Sequence, residues 1–104
     1  MTIQINTDKN VTVHTAYDEQ LEALLTKELK RFDKHITRLE VHLSDENGNE
    51  DSQDDKRCLI EARLKGREPI AVSALANTYD QAVNSAIDKL RASLDTIIGR
   101  LQNH

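Results

Sequence analysis

The side chains most often used in catalysis and metal binding are few in this 104-residue chain, and they do not cluster. Four histidines stand apart, at His14, His35, His42 and His104, with no partner at the spacing of metal ligands. The one cysteine, Cys58, has no CxxC mate and falls on the inward phase of a predicted strand, which indicates an inert buried thiol. The motifs of nucleotide-binding enzymes and hydrolases are absent from the sequence. We therefore predict no catalytic residues, no metal, no cofactor and no small-molecule substrate.

One acidic run begins like a calcium-binding loop and then departs from that pattern. The first three ligand positions of an EF-hand are matched, by Asp45, Asn47 and Asn49. The sixth position needs glycine and holds Glu50, and the twelfth needs a bidentate glutamate and holds Lys56. We predict instead a solvated acidic loop over residues 45–55.

Cations gather near the end of the first predicted helix. At about 100° per residue, one flank of this helix carries four of them, Lys27, Lys30, Arg31 and Lys34. Its acids fall on another flank, at Glu19, Glu22 and Asp33. Several cations on one surface can contact one phosphate backbone together, so the pattern favours nucleic-acid binding. The alternative is a solvated helix end, because cations also suit the negative C-terminus of a helix.

The charge balance indicates weak rather than tight RNA binding. Residues 45–55 hold six acids and no base, so the remaining chain has 14 basic and 12 acidic residues, or 14 − 12 = +2. A typical nucleic-acid-binding domain is plainly basic. The only aromatic residues are Tyr17, Phe32 and Tyr79, which leaves little surface for base stacking.

A cytoplasmic location is predicted from what the chain lacks. The unpaired Cys58 cannot form an internal disulfide, which fits a reducing compartment. No apolar run approaches membrane-spanning length, and residues 1–5 lack the basic start and apolar body of a signal peptide.

Apolar spacing predicts the elements that hold these side chains. Alternation indicates strands at residues 2–6, 38–44, 57–64 and 69–74, with Val11 and Val13 extending the first strand or forming a bend. The first helix follows Thr15 as N-cap and ends near Lys34 or His35. Its inward stripe is Leu21, Leu25, Leu29 and Phe32. The second helix follows a capping box, Thr78 with Gln81, and its stripe is Val83, Ala86, Ile87, Leu90, Leu94, Ile97, Ile98 and Leu101.

The element order β-α-β-β-β-α predicts an α+β fold. We expect a four-stranded, mostly antiparallel sheet with both helices packed on one face, in a single domain over residues 1–104. The other face should be solvated and carry Arg38, Glu40, His42, Arg57, Glu61 and Arg63.

The element order and two helical motifs resemble the ribosome hibernation-promoting factor family, also called ribosome-associated translation inhibitors or sigma-54 modulation proteins. The first helix ends in the family's pattern, with Leu29, Arg31, Phe32, Asp33 and Lys34. The last helix has the matching triplet and pair, Ala82-Val83-Asn84 and Lys89-Leu90.

This resemblance implies a short factor, without a dimerisation domain, that is a monomer or weak dimer. Such factors lie in the mRNA and tRNA channel of the small ribosomal subunit, against rRNA, and keep ribosomes inactive under stress. The resemblance implies rRNA contacts from Lys27, Lys30, Arg31, Lys34, Lys89 and Arg91, and no membrane partner.

Several departures fall where RNA contact would be expected. Asp80, with Tyr79 beside it, stands where the family has tyrosine, and residues 95–99 are acidic and apolar rather than lysine-rich. Ala76 replaces a common lysine, and Ala92, next to Arg91, replaces a common arginine. The alternative function is therefore a divergent relative of the same fold that binds a protein through its exposed sheet or acidic loop.

Overall fold

A computed structural model describes residues 1–8, 15–45 and 55–102, without the side chains of residues 15, 16 and 100–102. The elements are β1 (Thr2–Thr7), α1 (Thr15–Glu28), a 3₁₀ turn (Lys30–Phe32), β2 (Ile36–Asp45), β3 (Lys56–Leu64), β4 (Ile70–Ala76) and α2 (Tyr79–Gln102). The predicted α+β class and element order are confirmed. The predictions for Val11, Val13, His14 and His104, and for the side chain of Leu101, lie outside the described residues.

The four strands form one sheet in the order β1-β2-β3-β4. β1 pairs with β2 in parallel, because the chain crosses over through α1 before it returns. β2 with β3, and β3 with β4, are antiparallel neighbours joined directly along the chain. Two of the three pairings are antiparallel, as predicted.

One aliphatic core lies between the sheet and the helices. The inward residues of β2 and β3 alternate as predicted, and they share a buried cluster with the apolar stripes of both helices. α2 packs against β3 and β4. Both helices therefore cover one face of the sheet, and Ala82, outside the predicted stripe, is also buried. The opposite face carries the six predicted polar side chains, of which Arg63 is exposed and the others are half-buried.

The first helix ends earlier than predicted. α1 stops at Glu28, and Leu29 leaves the helical region with φ −109° and ψ 13°. The backbone then tightens into a 3₁₀ turn, in which the N–H of Phe32 donates to the carbonyl of Leu29 at 3.0 Å. This turn keeps Phe32 in the core while the chain reverses toward β2. The start of α2 follows the prediction more closely, because the N–H of Gln81 donates to Thr78 Oγ1 at 3.1 Å.

Lys56 holds both ends of the predicted acidic loop. Its Nζ lies 2.9 Å from Asp45 Oδ2 and 3.2 Å from Asp55 Oδ2. Asp45 is the last residue of β2, and Asp55 is buried with 3% exposure. The prediction that the whole loop is solvated is therefore wrong for these two carboxylates. An ammonium group thus lies beside Asp45, the carboxylate at the first ligand position of the EF-hand pattern. Residues 46–54 lie outside the described part of the chain.

Candidate nucleic-acid interface

Polar contacts join the two helices side by side. The Tyr17 hydroxyl donates to Asp80 Oδ1 at 3.1 Å, and further along Arg91 Nη1 donates to Glu28 Oε2 at 3.2 Å. The last ion pair joins Arg31 to Asp95. Because the partners advance together along both helices, α1 and α2 run in the same direction. Burial and the neighbouring Asp80 carboxylate raise the pKa of the Tyr17 phenol.

Four residues form what we call the charged seam, Glu28, Arg31, Arg91 and Asp95. They lie where the end of α1 and the 3₁₀ turn meet the middle of α2. Two of the six predicted rRNA-binding residues, Arg31 and Arg91, are therefore already paired with carboxylates. Both guanidinium groups remain at the surface, since their side chains are 63% and 46% exposed.

The outer surface of α1 mixes cations and acids. Lys27 and Lys30 line one open depression of about 790 Å³ together with Glu19, Glu22 and Asp33. The prediction of separate basic and acidic flanks is wrong for these residues. Lys27 and Glu19 both lie within α1, eight residues and so only about 80° apart around the helix, which lets their side chains share one surface. Lys30, in the 3₁₀ turn, borders the same depression. Lys27 and Lys30 therefore share their surface with three carboxylates.

Of the other four predicted site residues, three have free side chains within the part of the chain that the structure describes, and one forms a hydrogen bond within the fold. Lys27, Lys30 and Lys34 are exposed, and none forms an ion pair with the residues that the structure describes. Lys89 is engaged, because its Nζ donates to the backbone carbonyl of Ser73 at 2.8 Å. Three exposed lysines at and beyond the end of α1 are thus the freest of the six predicted cations.

Two cations that sequence reasoning missed lie in the β3–β4 turn, which adjoins His35, the residue after Lys34. The N–H of Lys65 donates to the carbonyl of His35 at 3.0 Å, which places the β3–β4 turn against the start of β2. The turn passes through Gly66, whose φ of 66° favours glycine. Lys65 and Arg67 are exposed on either side of it. We call Lys34, Lys65 and Arg67 the basic end. The sequence pattern that could have predicted this basic end is a pair of cations, Lys65 and Arg67, on either side of a turn glycine.

The helical surface as a whole is close to neutral. Residues 15–35 and 79–102 contain seven lysines and arginines and eight aspartates and glutamates, so their net charge is 7 − 8 = −1. The basic end is therefore a local feature beside a weakly acidic pair of helices. Such a surface gives weak, salt-sensitive attraction to phosphate rather than a strong field.

The candidate catalytic side chains that the structure describes do not form a site. Cys58 is fully buried, and burial raises the pKa of its thiol to about 12. His42 lies on the open sheet face, where its Nε2 is 3.9 Å from Glu61 Oε1. Within residues 1–8, 15–45 and 55–102, no three histidine, cysteine or acidic side chains are placed to hold a metal ion. In the same ranges no helix is long and apolar enough to cross a membrane.

Comparison with known proteins points to one group. The family model described as "Sigma 54 modulation protein / S30EA ribosomal protein" matches residues 7–102. The fold is similar to a ribosomal subunit interface protein from Coxiella burnetii, with TM-score 0.73 and 20% identity over 95% of this chain and 99% of that one. It is also similar to the N-terminal domain of Protein Y from Thermus thermophilus, with TM-score 0.68 and 21% identity over 93% and 99% of the two chains. Comparison with curated proteins gives no match.

Proposed function

Since the chain belongs to the Sigma 54 modulation protein / S30EA ribosomal protein family, we propose that it is a ribosome-associated factor that inhibits translation. Its partner is the small ribosomal subunit, where it binds rRNA in the mRNA and tRNA channel and holds idle ribosomes inactive under stress. Residues 1–104 act as one domain, as a monomer or weak dimer, in the cytoplasm. The role is binding rather than catalysis, and it needs no metal or cofactor.

The observation that carries this proposal is the group of exposed cations around the end of α1. Lys30 and Lys34 come from the 3₁₀ turn and its end, and the hydrogen bond from Lys65 to His35 adds the β3–β4 turn beside them. Cations from two separate segments can follow an rRNA backbone over several phosphates. Each contact releases counterions and so contributes to affinity. Because carboxylates surround Lys27 and Lys30, we expect weak binding that is best measured at low salt.

The channel assignment is tested with small subunits in two states. Purified subunits are sedimented with the protein either empty or preloaded with mRNA and initiator tRNA. A factor that occupies the channel pellets with empty subunits and is excluded from loaded ones. Equal pelleting in both states would place the binding surface elsewhere on the subunit. An in vitro translation assay at the same ionic strength then checks that binding and inhibition follow the same protein concentration.

The alternative function is a protein-binding module of the same fold. It is favoured by the net charge of −1 on the helical segments and by Leu75, which is 54% exposed on β4. Reversing the charge of Arg57, which lies on the open sheet face about 26 Å along β3 from the basic end, separates the two functions. If the end of α1 contacts rRNA, Arg57→Glu should leave subunit binding nearly unchanged. Failure of the wild-type protein to pellet with subunits even at low salt would favour the protein-binding role.

A further inference from the structure

The charges in the charged seam alternate in space. Arg91 pairs with Glu28 and Arg31 pairs with Asp95 across the two helices. Arg91 and Asp95 are also one turn apart on α2, and Glu28 and Arg31 are three residues apart, so each arginine has a second carboxylate nearby. The carboxylates lie at the surface too, with Asp95 53% and Glu28 32% exposed. All four groups can therefore exchange partners with a ligand from solvent.

Arg31 is positioned to bind an anion that offers two acceptor oxygens. Its guanidinium carbon lies 4.5 Å from the centre of the Phe32 ring, and that ring is buried with 3% exposure. Stacking fixes the plane of the guanidinium, whose donors match carboxylate and phosphate equally well. An open cleft of about 300 Å³ borders Arg31 and Asp95. The cleft is also lined by Gly99, where a Cβ would meet no heavy atom within 4 Å.

We propose that the charged seam is a phosphate-binding surface in which Asp95 and Glu28 occupy, in the free protein, the places of two RNA phosphates. This inference rests on the proposed function and adds how its arginines are regulated. When RNA binds, Arg31 exchanges Asp95 for one phosphate and Arg91 exchanges Glu28 for another. Each exchange replaces one ion pair by another, so the two carboxylates lower the affinity and lessen its dependence on salt.

The competing interpretation is that the charged seam only stabilises the packing of α1 against α2. Both interpretations expect a small loss of stability when Asp95 is neutralised, because exposed ion pairs contribute little. The two interpretations differ in the RNA affinity that they predict for the variants. A fastening contact predicts no gain when a carboxylate is removed, beyond the general effect of one less negative charge.

Asp88 provides a matched control for that general effect. It is exposed on the same helix, seven residues before Asp95 and therefore on nearly the same side of α2. It forms no ion pair within the described part of the chain. Asp88 and Asp95 are both neighbours of Arg91 on α2, three residues before it and four after it, so Asp88→Asn and Asp95→Asn remove the same charge from similar positions. Only Asp95→Asn also breaks the ion pair with Arg31.

The test measures binding of these variants to purified small subunits and, in parallel, to a fluorescent 20-nucleotide RNA hairpin over a salt series. We expect Asp95→Asn to bind about three- to fivefold more tightly than Asp88→Asn at low salt. Its plot of log affinity against log salt should be steeper by about one unit. Glu28→Gln should act in the same direction through Arg91. In the Arg31→Ala background, Asp95→Asn should bind no more tightly than Asp88→Asn.

Equal affinities of Asp95→Asn and Asp88→Asn for both RNAs would overturn the inference. The inference would also be overturned if Asp95→Asn still bound RNA more tightly than Asp88→Asn in the Arg31→Ala background, because the gain in affinity would then not depend on Arg31. The proposed function fails separately. Suppose that the wild-type protein does not bind subunits, while the hairpin still binds Asp95→Asn more tightly than Asp88→Asn. The charged seam then binds RNA phosphate, but the RNA is not that of the ribosome.

Discussion

The ammonium group of Lys89 donates a hydrogen bond to the backbone carbonyl of Ser73, with 2.8 Å between Nζ and the oxygen. Ser73 lies in β4, an edge strand of the sheet, so this contact ties α2 to that strand. A lysine on an edge strand's backbone also hinders pairing with another chain. Lys89, which the family resemblance assigns to rRNA, is therefore engaged within the fold.

Replacing Lys89 should affect stability more than RNA binding. We expect Lys89→Met to lower the free energy of unfolding by about 1 kcal/mol, as for loss of a typical intramolecular hydrogen bond. The matched variant is Lys30→Met, which removes the same charge from an exposed side chain. It should leave stability within about 0.5 kcal/mol of wild type and weaken subunit binding more than Lys89→Met does. Urea titration and subunit pelleting measure the two effects. If Lys89→Met weakens subunit binding more than Lys30→Met does, Lys89 is part of the binding surface.

The elements were predictable because their signals are local. Alternating Leu39, Val41 and Leu43 in β2, and the stripe from Leu21 to Phe32 in α1, depend only on the period of strand and helix. The contacts of Arg31 and Arg91 were not predictable in this way. Their partners lie more than 60 positions away and meet them only because the helices pack in parallel.

The early end of α1 escaped prediction for a different reason. Leu29 and Phe32 are both buried, and their three-residue spacing suits either an α-helix or a 3₁₀ turn. The sequence therefore could not show where one becomes the other. Lys30 and Arg31 are consecutive, so their side chains project about 100° or more apart in either kind of turn. Arg31 therefore lies in the charged seam while Lys30 lies on the outer surface of α1.

Cys58 should be unreactive in the folded protein. Its thiol is fully buried, and burial raises its pKa to about 12, so the thiolate needed for alkylation is scarce at pH 8. Iodoacetamide should label it only after unfolding. Because the unfolded thiol loses its proton near its ordinary pKa and the folded one does not, this group should lower stability as pH rises above about 9. Rapid labelling of the native protein at pH 8 would show that the thiol is accessible.

The acids of the predicted loop should weaken RNA binding without supporting the fold. Neutralising three of them, by Glu50→Gln, Asp51→Asn and Asp54→Asn, removes charge that repels phosphate. We expect tighter subunit binding at low salt and an unchanged melting temperature. The contrasting variant is Asp55→Asn, which weakens a buried contact with Lys56 and should cost about 1 kcal/mol. Unchanged affinity of the triple variant would mean that these acids lie far from the RNA.

On our proposal, cations at the end of α1 bind the small ribosomal subunit. The direct measurement is pelleting of wild-type protein, Lys30→Glu/Lys34→Glu and Arg57→Glu with purified small subunits over a salt series. Arg57 is a control cation near the far end of β3, about 26 Å along the strand from the basic end. Because Lys30 and Lys34 are exposed, the double variant should melt within a few degrees of wild type.

We predict that the double variant loses at least about tenfold in affinity at low salt, with a salt dependence shallower by one to two units. Arg57→Glu should stay within about twofold of wild type, because screening weakens charges more than a Debye length away. If the double variant pellets like wild type at every salt concentration, or if Arg57→Glu weakens binding as much, the end of α1 is not the binding surface.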